Sequence, residues 1–158
     1  STLSSSSAAS DVYKRQALKS VDSPYAPDLP AGEHDKLLEC SGRFADKAAS
    51  FLMKLLYGAR MAGPWLTVAI MRLARQIHKW SAECDRRLHR LYCYVYGTTK
   101  QVLKGALSTE DLENVKIDCW PDADLCGDIF STKSTSGRFI ELSGGSNRGM
   151  PLTWAARR

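Results

Sequence analysis

The chain has five cysteines, Cys40, Cys84, Cys93, Cys119 and Cys126, and none of them form a C-x-x-C pair. That absence excludes the usual zinc knuckle, and the odd count argues against a disulfide framework. Free thiols fit a reducing compartment, so a cytoplasmic location is expected. Long apolar runs are also missing. The longest charge-free stretch, residues 61–71, falls well short of the roughly 18 to 20 residues that cross a membrane, and no membrane partner is expected. Histidine is scarce: His34, His78 and His89 share no spacing with the cysteines that would suit a metal, which leaves them structural or solvent-facing roles. Ser143-Gly144-Gly145-Ser146 lacks the lysine and following helix of a phosphate-cradling loop, so it reads as a hairpin connection. A secretory signal needs a basic start and an apolar segment, neither of which is present. The first residue is serine rather than Met, and an incomplete reading frame is expected. Acidic residues are outnumbered 17 to 22 by Lys and Arg, giving a net charge of +5. This favours polyanionic partners without identifying one.

What remains is a composition of 44% hydrophobic and 25% charged residues, the balance of a soluble globular protein. The 158 residues suit one domain of roughly 100 to 200 residues. Residues 6–16 back-translate into a string similar to a transposase adapter used for sequencing libraries, so residues 1–16 read as a cloning or assembly artefact. Pro24, Pro27 and Pro30 mark residues 17–40 as a disordered linker. Residues 41–99 then show helical spacing. Phe44, Ala48, Phe51, Leu52 and Leu55 predict a first helix that stops at Gly58. Pro64 opens a second, striped by Leu66, Ile70, Leu73, Ile77 and Trp80. Ser81 caps a third, with Glu83 and Asp85 in its first turn and Leu88, Leu91 and Val95 on one face, and Gly97 ends it. In residues 100–158 the pattern changes to short segments at 101–104, 115–122, 138–142 and 152–155, which predict strands. About three helices followed by strands make the fold class α+β.

The run Asp122-Ala123-Asp124-Leu125-Cys126-Gly127-Asp128, then Lys133-Ser134-Thr135-Ser136-Gly137 and a later Trp154, resembles the start of the ribonuclease H domain in copia-type retrotransposon polyproteins. Residues 50–57 and 89–98 resemble the end of the same family's reverse transcriptase. The resemblance covers residues 40–158. It implies an antiparallel, ribonuclease H-like sheet that is incomplete here, joined to thumb-like helices. It implies Asp122 as a catalytic Mg²⁺ ligand, vestigial in this chain. For an intact parent it implies templated DNA synthesis and Mg²⁺-dependent cleavage of RNA–DNA hybrids, in the cytoplasm, a virus-like particle or the nucleus. Two-metal hydrolysis needs several converging carboxylates. The family's later acidic segment and its polymerase Tyr-Val-Asp-Asp motif are not in this sequence, so no enzymatic activity, cofactor or small-molecule substrate is expected for the chain itself. Pro121 removes an N–H from a strand that the resemblance places centrally, where proline is seldom tolerated.

Without the resemblance, Asp122 and Asp124 read first as solvated turn carboxylates, and second as a pair that, two apart on a strand, faces one cation. Arg72, Arg75, Lys79, Arg86, Arg87 and Arg90 make the second and third helices basic. They form either a nucleic-acid-binding face or an ordinary solvated surface. Tyr92, Tyr94 and Tyr96 lie two apart, which on a helix prevents a single stacking platform and favours packing. The leading expectation is a non-catalytic fragment of a copia-like polyprotein, and the alternative is a small basic helical module that binds nucleic acid.

Overall fold

A computed structural model describes residues 18–27, 29–124, 134–145 and 149–157. The adapter-like stretch, Cys126 and the middle of the Asp-Ala-Asp to Ser-Thr-Ser-Gly segment lie outside the described residues. Among the described residues the fold is α+β, with α1 (Ala31–Glu39), α2 (Ala48–Ala62), α3 (Thr67–Ala74) and α4 (Ala82–Gly97) preceding β1 (Lys116–Asp124), β2 (Thr135–Ser143) and β3 (Gly149–Arg157). Helix α1 falls in the segment expected to be linker. Pro30 precedes its first residue and accepts hydrogen bonds from the N–H groups of Glu33 and His34, both at 3.0 Å, so the last proline starts a helix rather than extending a coil.

Helix α2 buries Ala48, Leu52, Leu55 and Ala59 along one stripe. It runs through Gly58, where a stop was expected, and ends at Gly63. A side chain at Gly58 would meet open space, so the glycine costs the helix only about 1 kcal/mol relative to alanine while its neighbour Ala59 is fully buried. Pro64 begins a 3₁₀ turn, Pro64–Leu66, that leads into α3. The expected stripe holds: Leu66, Ile70, Leu73 and Trp80 are buried and Ile77 packs against them. Its helix does not hold throughout. The helix ends at Ala74, and a 3₁₀ turn at Ile77–Lys79 bends the chain back toward α4.

That reversal is tied together by Asp85. Its carboxylate accepts the indole N–H of Trp80 at 2.7 Å and the backbone N–H groups of Arg43 and Phe44. Gly42 donates to the Trp80 carbonyl at 3.1 Å, and a Cβ there would come within 2.5 Å of the Ser81 carbonyl oxygen. Only glycine allows the two backbones to cross so closely. Ser81 has the extended backbone of a helix cap, but its hydroxyl points to the Cys84 sulfur at 3.5 Å instead of capping an N–H.

The strands form one antiparallel sheet in the order β1-β2-β3, with Trp120 opposite Phe139 and Phe139 opposite Trp154. Residues 101–104, expected as a strand, have no regular structure. Just past it, the Ala106 N–H donates to the Gly149 carbonyl at 3.1 Å. Within this sheet β1 pairs on one side, with β2. Pro121, opposite Arg138, therefore lies in an edge strand, where a missing N–H is tolerated. Every buried hydrophobic residue among those described lies between Ala48 and Cys93, so the core belongs to the helices. Among the described residues the Trp154 indole donates to the Ala59 carbonyl at 2.8 Å and Arg75 donates to the Thr135 hydroxyl at 3.0 Å, which ties the sheet to the helices.

Candidate functional site

Strand β1 carries Asp122 opposite Gly137 of β2, on the side of the sheet that meets α3. There a cleft of about 210 Å³ opens between the helix and all three strands, with Val68, Met71, Arg72 and Arg75 on one wall and Asp122, Thr135, Gly137 and Ala156 on the other. Asp122 and two of the basic residues, which the sequence suggested as parts of separate sites, share this cleft. Thr135 and Gly137 both come from the Ser-Thr-Ser-Gly motif. The threonine hydroxyl receives Arg75, while the glycine has no side chain to cover the floor beside Asp122. The Arg75 Nε is buried and has no hydrogen-bond partner among the described residues.

Divalent cations need clustered oxygen donors with a net negative field. Asp122 shares its cleft with two guanidinium groups, whose charge repels a cation and whose N–H groups suit a phosphate oxygen. Among the described residues no group of three His, Cys, Asp or Glu side chains converges to hold a metal. Among the described residues the cleft thus sets one carboxylate beside two guanidinium groups.

Two of the remaining basic residues, Arg86 and Arg87, bracket Glu83, which is fully buried at the start of α4. Arg86 reaches it with Nε at 2.7 Å and Nη2 at 2.8 Å, and Arg87 with Nε at 2.7 Å. Burial alone would raise the Glu83 pKa, but the hydrogen bonds and positive charge of the two arginines outweigh it and hold the carboxyl below its usual range. Arg90 donates to the Ser23 carbonyl at 3.0 Å, Arg86 also donates to the Pro27 carbonyl at 2.9 Å, and the Arg72 guanidinium lies 5.4 Å from the centre of the Tyr25 ring. Lys79 is exposed in the 3₁₀ turn. The cations named from sequence thus lie on α3, α4 and the turn between them. Arg75, Arg86, Arg87 and Arg90 donate hydrogen bonds to the chain's own groups, and Arg72 lies over the Tyr25 ring.

Sequence reasoning missed Glu83 as the centre of this arrangement, although its spacing of three and four residues from Arg86 and Arg87 was the available signal. It also missed Tyr25, whose position over Arg72 depends on a long-range fold that no local pattern encodes. The tyrosines separate as helical spacing requires. Tyr92 packs edge-on against Phe51 with ring centres 6.0 Å apart, and burial pushes its phenol up, whereas Tyr96 is exposed. Compared with protein-family models, with curated proteins and with solved structures, the chain finds no match in any of the three.

Proposed function

We propose that the chain is a piece of a copia-type retrotransposon polyprotein, the last helices of a reverse transcriptase joined to the first strands of a ribonuclease H-like sheet, and that it contacts nucleic acid without hydrolysing it. The observation that carries this reading is the meander itself. Its first strand bears Asp122, its second opens within Ser134-Thr135-Ser136-Gly137, and its third bears Trp154. That is the order in which the resembled motif presents its aspartate, its Ser-Thr-Ser-Gly and its tryptophan strand. In an intact parent this sheet would receive further carboxylates and bind Mg²⁺. The chemistry of that parent would be DNA synthesis on a template and cleavage of the RNA strand of an RNA–DNA hybrid.

In this chain the Asp122 cleft presents arginines beside its carboxylate, a setting for phosphate rather than for paired metal ions. A free-standing basic binding module is the weaker reading, because Arg86 and Arg87 already satisfy a buried carboxylate. The test is incubation of the full chain with a labelled RNA–DNA hybrid and Mg²⁺, with cleavage followed on a denaturing gel. No cleavage above background is expected. Cleavage that disappears in Asp122→Asn would overturn the proposal.

A further inference from the structure

Helix α2 is apolar on two opposite faces. One face, Ala48, Leu52, Leu55 and Ala59, is buried in the core. The other carries Met53, Tyr57 and Met61, each four residues from the next and exposed at 62%, 72% and 65%. At about 100° of turn per residue these three side chains stand within an arc of about 80°, and Tyr57 in the middle points away from the core face. Single exposed hydrophobic side chains are ordinary. Three in one continuous stripe, on a helix whose far side is already buried, make a packing surface.

The flanks of the stripe decide what covers it. Lys54 lies about 60° to one side of Tyr57 and Arg60 about 60° to the other. Both are exposed, and neither has an ion-pair partner among the described residues. Helix α2 contains no acidic residue. A second copy would therefore set cation against cation: an antiparallel pair centred on Tyr57 brings Lys54 to Arg60, and a parallel pair brings each cation to itself. A nucleic-acid backbone would meet two cations with an apolar ridge between them, too few for counterion release to hold it. A lipid surface takes up a helix by its large apolar face, which α2 has already committed to the core. An apolar ridge bordered by carboxylates matches the stripe and both flanks at once.

We propose that the outer stripe of α2, Met53, Tyr57 and Met61 between Lys54 and Arg60, is a docking surface for an acidic amphipathic helix of another protein. The partner lays apolar side chains one turn apart along the stripe and holds Asp or Glu against Lys54 and Arg60. Tyr57 is the centre of the contact, because its ring buries a large area while its hydroxyl stays at the polar rim. Beside it Gly58 has no side chain and a Cβ there would meet open space, which leaves a notch for a partner side chain.

The probe is a labelled synthetic peptide matched to the 15 residues of α2, with leucines along one helical face and glutamates on both flanks. A second peptide replaces every glutamate by lysine. Each is titrated with the full chain and followed by fluorescence anisotropy. The glutamate peptide is expected to bind about tenfold more tightly than the lysine peptide, and Tyr57→Ser to weaken it by about tenfold. The double variant Lys54→Glu with Arg60→Glu should reverse the preference between the two peptides. These positions are exposed, so each variant should keep the far-ultraviolet circular dichroism of the original chain. Equal binding of the two peptides overturns the acidic partner, and binding of neither overturns the docking surface. Affinity that survives Tyr57→Ser puts the contact elsewhere and overturns the proposal as well. The other occupants have their own signatures. A dimer in sedimentation that Tyr57→Ser dissociates assigns the stripe to a second copy. Binding to phosphatidylcholine–phosphatidylserine vesicles that the same variant loses assigns it to a membrane. Either result overturns the proposal.

Discussion

At the scale of single residues, Glu83 is a buried charge held by two arginines. It is fully buried and its two oxygens are bound by Arg86 and Arg87. Removing one member of a buried, hydrogen-bonded charge set strands the others, at a cost of about 3 to 5 kcal/mol. Glu83→Ala should lose an amount in that range in urea unfolding followed by circular dichroism, and Glu83→Gln less, because the amide oxygen still accepts one arginine. The same group sets an acid limit. Its folded pKa lies below the ordinary 4.5, so its contribution is complete above that value and is lost as pH falls from there through the folded pKa. Stability measured from pH 6 down to 3 should therefore decline below about pH 4.5 in the parent chain, and decline less steeply in Glu83→Gln.

At the scale of elements, one carboxylate holds the reversal between α3 and α4. Asp85 takes the Trp80 indole at 2.7 Å together with two backbone N–H groups of the segment ahead of α2. Leaving such donors unpaired in a partly buried place costs about 1 to 3 kcal/mol. Asp85→Ala is expected to lower the urea midpoint accordingly and to shift the Trp80 fluorescence to longer wavelength as the ring meets water. The sheet has a different anchor. Trp154 stacks on Phe139 with ring centres 6.3 Å apart and donates its N–H to the carbonyl of Ala59 in α2. Trp154→Phe keeps the ring and removes that bond, worth about 1 kcal/mol. Amide exchange in the three strands should accelerate in this variant while α4 keeps its protection. Equal acceleration everywhere would show that sheet and helices unfold as one unit.

At the scale of the whole molecule, burial is uneven. The helices enclose a core from Ala48 to Cys93, while Ile117 is 70% and Trp120 59% exposed on β1. A sheet with little of its own buried surface and an open edge strand contributes little to stability and offers its unpaired edge to other chains. A cooperative melt above about 60 °C is therefore not expected, since that is toward the upper end of the mesophilic range. Thermal unfolding followed separately by near-ultraviolet signal from the sheet tryptophans and far-ultraviolet signal from the helices should show the sheet melting first.

The sequence by itself determined the class of fold and most of its elements. The stripe from Leu66 to Trp80, the start of α4 after Ser81, and the strands around residues 115–122, 138–142 and 152–155 were all legible, because side-chain periodicity and turn residues act locally. The residues that share the Asp122 cleft were not legible. Asp122 and Arg75 line one cleft only because β2 brings Thr135 and Gly137 to the end of α3, where Arg75 bonds Thr135 across sixty residues of chain. The partners of the basic face were hidden for the same reason: the carbonyls of Ser23 and Pro27 have no side-chain signature. Helix α1 was missed because proline marks both the end of a coil and the first turn of a helix, and only the residues packed around it decide between them. Local propensity chose the elements, and the packing of distant segments chose which charges they hold.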